Sequence, residues 1–319
     1  MTSKKWLIFF ILLQIPSLAF SEHVLPHNKQ AITAIPEVTG LDLKKVKLGR
    51  RLFHDKKLSG DGTVSCASCH ALDTAGVDGL AVSIGIKGQK GKRNAPTVLN
   101  SSLQFRQFWD GRVATLEEQI SSPLRNPVEM ATNWQDVISY LKAEPEYRKE
   151  FNEIFHSAPS KTLVVNAIAE FERSLLTPNG AFDRFLKGDK TAINEQAQRG
   201  YQLFKSYGCI ACHQGVAVGG NLYEKLGIVQ AYYPENKQSE EADFGRYLLT
   251  GDEEDRYEFK VPSLRNVART APYLHDGSIK TLEEVISVMG RYQIGRTISK
   301  PDIKAIKIFL QTLNGKVSE

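Results

Sequence analysis

Cysteine is scarce in this chain of 319 residues. There are four, too few for the disulfide framework of a small secreted domain, and all four fall in two short runs. Methionine is scarcer still, at three. With Met1 set aside, chemistry that needs a thioether has only Met130 and Met289 to draw on. The seven histidines leave a gap, with none between positions 71 and 155. Long apolar runs are missing too. Trp6–Leu13 is apolar but falls short of the ~20 residues that cross a bilayer core, and nothing later in the chain comes closer. Charge of one sign is not in excess. A net charge of +5 is mild and argues against a nucleic-acid footprint.

What is present begins with an export pattern. Lys4 and Lys5 precede the apolar run, and Ala19-Phe20-Ser21 forms a cleavage site before Glu22. Residues 1–21 therefore read as a signal peptide, with an uncleaved N-terminal anchor as the alternative. Its removal leaves a net charge of +3, because residues 1–21 hold two lysines and no acid. The mature chain, without a membrane span, is expected in the periplasm.

The four cysteines occupy Cys66-Ala67-Ser68-Cys69-His70 and Cys209-Ile210-Ala211-Cys212-His213. Two thiols three positions apart reach both vinyl groups of one haem, and the adjacent histidine then lies over the iron. Two such runs with no cysteine left over point to two covalent c-type haems. The alternatives are a disulfide pair or a Cys/His zinc site. Export agrees with the haems, since c-type attachment takes place outside the bacterial cytoplasm.

The surroundings of the two runs repeat. Gly49-Arg50-Arg51-Leu52-Phe53 precedes the first, and Gly200-Tyr201-Gln202-Leu203-Phe204 the second. Pro96–Asn100 matches Pro262–Asn266, and Asp110–Glu118 matches Asp276–Glu284, both at an offset of 166 residues. A shared offset over separated blocks signals duplication. The second half carries an insertion between His213 and Pro262. It holds the acidic runs Glu240-Glu241-Ala242-Asp243 and Asp252-Glu253-Glu254-Asp255, which could meet a basic donor but read first as solvated loop.

Most other segments have helical period. Thr115–Glu118 and Thr281–Glu284 are T-x-x-E capping boxes, Asn133 can cap a helix toward Leu141, Val164–Leu175 carries an apolar helical stripe, and Pro301–Leu313 closes the chain likewise. Val64–Gly91 reads as loop. The expected fold is all-α: two tandem cytochrome c-like domains, residues 22–179 and 180–319, joined near Thr177-Pro178-Asn179-Gly180.

Met289 lies at the far end of the helix that Thr281 caps. It is a candidate sixth ligand for the haem of His213, or a core methionine filling space. Met130 could ligate the first haem. Its neighbour Glu129 could instead move a proton between the oxygens of bound peroxide, or be a surface carboxylate.

The chain resembles the bacterial di-haem cytochrome c peroxidases over about residues 32–315. The resemblance is carried by Ser83-Ile84-Gly85, Arg93–Thr97, Phe108–Arg112, Asn126–Met130 and Ala271–Gly277. It implies a peroxidatic haem on His70 and an electron-entry haem on His213 and Met289. It further implies Glu129 and Gln119 in the reacting pocket, Trp109 between the haems and His275 near their interface. Asn94, with the carbonyls of Thr270 and Pro272, matches an interdomain calcium site, whose all-oxygen donors suit that ion. Periplasmic homodimers are common in the family. One position departs: many members place a histidine after Ser-Ile-Gly that blocks the peroxidatic iron, and here it is Ile86. Isoleucine has no lone pair, so the first haem is expected open without reductive activation.

The leading expectation is reduction of hydrogen peroxide with electrons from a small cytochrome c or cupredoxin. A second is an enzyme like the di-haem maturase that oxidises tryptophans of a partner protein. That maturase has tyrosine where this chain keeps Met289. The third is a non-enzymatic electron carrier, which needs both irons closed.

Overall fold

The computed structural model describes residues 30–233 and 239–317, so the expected signal peptide lies outside them. The first half contributes α1 (Leu43–His54), the single turn α2 (Cys66–Cys69), α3 (Leu116–Arg125), α4 (Trp134–Ala143), α5 (Pro145–Phe155) and α6 (Lys161–Ser174). The second contributes α7 (Ala181–Leu186), α8 (Glu195–Ser206), α9 (Tyr247–Thr250), α10 (Leu282–Tyr292) and α11 (Lys300–Gln311). The described residues from Ala31 onward form one compact unit that holds two large hydrophobic cores, beside a small third cluster of Leu226, Tyr233 and Phe259. One gathers Leu48, Phe53, Ile120, Leu141, Phe151 and Ile168. The other gathers Phe182, Phe204, Ile286 and Phe309, with Ile32 from the start of the described chain.

The repeat is three-dimensional. Asp42 caps α1 by accepting from the amides of Lys44 and Lys45, and Asn194 caps α8 by accepting from Ala197. Helix α1 crosses α6 as α8 crosses α11. Each crossing is closed at a glycine. A Cβ on Gly49 would stand 1.9 Å from the Ala167 carbonyl oxygen, and one on Gly200 would stand 2.0 Å from that of Ala305. Both helix backbones therefore touch their partners where any side chain would hold them apart. Thr115 and Thr281 accept from the amides of Glu118 and Glu284. The Glu118 carboxylate departs from the expected box. It accepts from the Ala114 amide, one residue before the cap.

Asn100 and Asn266 share a left-handed conformation, with φ of 60° and 61°, and both side chains donate to the Thr177 hydroxyl. One buried threonine thus ties the two copies together. A second tie fixes the beginning of the described chain. Arg265 and Asp183 form an ion pair of 2.8 Å with side-chain exposures of 1% and 0%. Asp183 also accepts from the Ile35 amide, and Arg265 donates to the carbonyls of Thr33 and Val216. Residues 31–35 consequently pack on the second core rather than the first.

The all-α expectation needs one amendment. The insertion folds a short antiparallel ribbon of β1 (Tyr223–Lys225) and β2 (Glu258–Lys260), with Tyr223 opposite Lys260. Three residues per strand are too few for alternation to register in sequence.

Candidate active site: two cavities and a shared wall

Each Cys-x-x-Cys-His run faces a cavity. Cys66, Cys69 and His70 line one of about 680 Å³, and Cys209, Cys212 and His213 line one of about 640 Å³. Both lie in the size range of cofactor sites. The two motifs are built alike: the amide of His70 donates to Cys66 and that of His213 to Cys209, each at 3.0 Å.

Burial sets the chemistry of these groups. The Cys66 thiol is pushed up to about 12 and that of Cys209 to about 11, so both are protonated at pH 7. Among the described residues no group of three His, Cys, Asp or Glu side chains is placed to hold a metal ion. Burial pulls His213 down to about 4 and lowers His70 as well. Both imidazoles are neutral at pH 7 and keep a ring nitrogen with a lone pair. His70 Nδ1 lies 3.3 Å from the Gly76 carbonyl. As the donor there, it leaves Nε2 free to ligate. His213 Nδ1 is near the carbonyls of Val218 and Pro262 but makes a well-formed hydrogen bond with neither.

The residues around the cavities fit a haem. Lys260 lines the C-terminal cavity, and burial lowers its ammonium to about 8. It reaches Gln104 Oε1 and has no carboxylate partner among the described residues. A buried cation of this kind calls for an anionic group such as a haem propionate. Glu172 lines the N-terminal cavity, raised to about 8 by burial, with Oε2 unpartnered. Sequence reasoning singled out neither residue. Only burial distinguishes them from the many other lysines and glutamates.

Glu129 and Gln119 both line the N-terminal cavity, as do Met130, Arg93 and Arg112. Glu129 sits on the turn after α3, where its amide donates to Asn126 and Met130 donates to Pro123. Burial raises its carboxyl, while the Asn126 amide, donating to Oε1 at 2.6 Å, and the Arg112 charge oppose that rise. Arg93 and Arg112 share the carboxylate of Asp110 at 2.8 and 3.0 Å. The 83–91 loop is locked against this turn. The Ile86 amide donates to the Glu129 carbonyl at 2.9 Å, and a Cβ on Gly85 would stand 2.0 Å from the Val128 oxygen. Ile86 itself is buried and is not among the residues lining the cavity.

Met289 lies in the same C-terminal cavity as His213. Asn94–Thr97, Phe108 and Trp109 line both cavities, so this segment is the wall between them. The Trp109 indole donates to the Asn94 carbonyl at 2.9 Å. The Asn94 amide donates to the His275 carbonyl at 2.7 Å, which joins Trp109, Asn94 and His275 into one unit. Asn94 also donates from Nδ2 to Leu80 and Ala81, leaving Oδ1 as the atom it could offer a cation. Thr270 and Pro272 line the C-terminal cavity with Asn94.

A family model described as di-haem cytochrome c peroxidase matches residues 43–191. The chain is 44% identical over 287 residues to a cytochrome c551 peroxidase of Nitrosomonas europaea, covering 90% of this chain and 84% of that one. It belongs to the di-haem cytochrome c peroxidases. It is equally 44% identical, over 290 residues, to the cytochrome c peroxidase Ccp of Escherichia coli strain K12, but spans only 62% of that longer protein. A crystal structure of a MauG-like protein associated with microbial copper homeostasis superposes with a TM-score of 0.77. That pair shares 30% identity and covers 92% and 95% of the respective chains. The chain is an enzyme of this oxidoreductase family, mostly helical, and the family implies haem as its cofactor. No helix among the described residues is long and apolar enough to cross a membrane.

Proposed function

We propose that this di-haem peroxidase reduces hydrogen peroxide to water in the periplasm, with electrons from a small cytochrome c or cupredoxin. The observation that carries this reading is the composition of the N-terminal cavity. It gathers an imidazole with a free ring nitrogen, a buried carboxyl and a glutamine, behind a tryptophan wall shared with a second cavity. In this reading the chain has two tandem cytochrome c-like domains, with one haem on Cys66, Cys69 and His70 and the other on Cys209, Cys212, His213 and Met289. Arg93 or Arg112 and Lys260 would meet the acidic edges of the two haems. Calcium would take Asn94 Oδ1 and the carbonyls of Thr270 and Pro272. The working form would be a homodimer exported by the 1–21 signal.

Haem, when bound, supplies the redox centre that delivers electrons to peroxide. The protein supplies the proton path. Glu129 takes the proton from the proximal peroxide oxygen and returns it to the distal one as the O–O bond breaks. Two further protons from solvent and two electrons complete two waters. Burial brings the Glu129 pKa toward neutrality, which suits a group that must both accept and donate. The Asn126 amide aims the carboxylate, and Gln119 offers a second polar contact. Thioether sulfur from Met289 would hold the second haem at high potential.

Ile86 favours an enzyme that is active as isolated. Holoprotein in the fully oxidised state, mixed with peroxide, should react without prereduction, and Glu129→Gln should slow that step about 100- to 10,000-fold. Reaction only after prereduction would remove the open-site reading. Reaction as fast in Glu129→Gln would remove the role of Glu129. Oxidation of a partner protein, as by the di-haem maturase that the chain also resembles, is a second reading, against which stands Met289 where that maturase has tyrosine. Steady-state turnover with peroxide and reduced cytochrome c separates the two.

A further inference from the structure

The acidic run at 240–243, read from sequence as solvated loop, is partly interior. Asp243 is buried and accepts from His275 Nε2 at 2.8 Å and from the Tyr233 hydroxyl at 3.2 Å. His275 is 1% exposed. Its ring stacks on Phe259 at 4.4 Å and lies 6.3 Å from Trp109 and 6.4 Å from Tyr233 between centroids. From Tyr233 two branches lead outward. Tyr257 stacks on it at 4.8 Å, followed by Phe244 at 6.2 Å and Tyr247 at 6.1 Å. Tyr232 meets it at 5.0 Å, followed by Tyr292 at 5.0 Å. Tyr233 is buried, whereas Tyr232, Tyr247, Tyr257 and Tyr292 are half-buried. These aromatic rings continue without a break from the wall of the N-terminal cavity to the surface of the insertion.

We propose that Tyr233, with Asp243 as its proton acceptor, is a redox-active tyrosine that leads oxidising equivalents out of the active site when no electron donor is bound. This deepens the peroxide reading and rests on it. Peroxide accepts two electrons and two protons to become two waters, and without a donor the protein must supply the electrons. Tyr233 gives up one electron through the His275 and Trp109 contacts and its phenolic proton to Asp243 Oδ1. The neutral radical left at Tyr233 is refilled by an electron from Tyr257 or Tyr232, and Asp243 returns the phenolic proton as it is. The phenol that gave it loses its proton to water, and two outer radicals couple or are reduced by a soluble thiol. The device needs a buried phenol already hydrogen-bonded to a carboxylate. Proton and electron then leave together, and no phenol cation is formed in the interior.

The test treats oxidised holoprotein with peroxide in the absence of donor. It reads freeze-quenched EPR and the positions of oxidative products by peptide mass spectrometry. The expected wild-type result is a tyrosyl signal, with products concentrated at Tyr232, Tyr233, Tyr247, Tyr257 and Tyr292. Tyr233→Phe should lose the signal and the products on the outer tyrosines, while products at Trp109 rise and donor-supported turnover is unchanged. Asp243→Asn, which keeps the phenol but weakens its acceptor, should lose the signal likewise. If peroxide is consumed but the signal and product map are the same in all three proteins, the route is wrong and the peroxide reading stands. If wild type consumes no peroxide, both fall.

Discussion

Removing the carboxylate of Asp183 should destabilise the second core and disturb the C-terminal haem site together. Asp183→Ala leaves the Arg265 guanidinium, at 1% side-chain exposure, as an unpaired charge in the interior. It also strips the amides of Ile35 and Gly180 of their acceptor. Breaking a buried pair in this way costs about 3–5 kcal/mol, set against a total of about 5–15 kcal/mol for an ordinary domain. Thermal unfolding followed by circular dichroism should shift down by about 6–20 °C. Two further consequences follow from geometry. Proteolysis should reach residues 31–35, which lose their anchor. Arg265 also holds the Val216 carbonyl, two residues from the Val218 carbonyl beside His213. The absorption spectrum of the C-terminal haem should therefore change while that of the N-terminal haem does not. The double variant Asp183→Leu with Arg265→Met should recover the part of the loss due to the unpaired charge, but not the part due to the amides of Ile35 and Gly180 and the carbonyls of Thr33 and Val216, which stay without their partners. A single variant less than about 1 kcal/mol below wild type, the range of an exposed pair, would refute the argument.

The other predictions concern the two cavities. Glu172 is raised by burial to about 8, so the folded protein holds that proton while the unfolded chain releases it near the ordinary carboxylate value. Its contribution to stability is fully present below about 4.5 and is lost as pH rises toward 8. Glu172→Gln should thus gain on wild type between pH 5 and 8 in denaturant unfolding; a gain that does not grow with pH would contradict the assignment. Met289→Leu should lower the potential of the C-terminal haem and slow electron uptake from the donor, with peroxide reaction at the oxidised N-terminal haem preserved. An unchanged potential in a redox titration would mean that Met289 only fills space.

Much of this protein is legible in its sequence, because the chemistry there is local. Cys-x-x-Cys-His is a spacing within one turn, so position alone brings its three groups together. The duplication is likewise a pattern along the chain, with Gly49 and Gly200 at equivalent places in the repeat, although only the structure shows that both lie at close helix crossings. Thr115, Asn133 and Thr281 act as caps because capping involves neighbours three residues apart. What sequence could not supply is burial and long-range partnership. Asp243 reads as one more acid in a charged loop until His275 and Tyr233 are folded over it. Lys260 and Glu172 look like surface residues until their cavities close around them. The tie from Arg265 to Asp183 and Thr33 spans residues far apart in the chain, and only the tertiary structure assigned the 31–35 segment to the second core. The division follows from range. Hydrogen bonds and thioether reach within a turn are set by covalent spacing, whereas desolvation depends on everything that packs around a group.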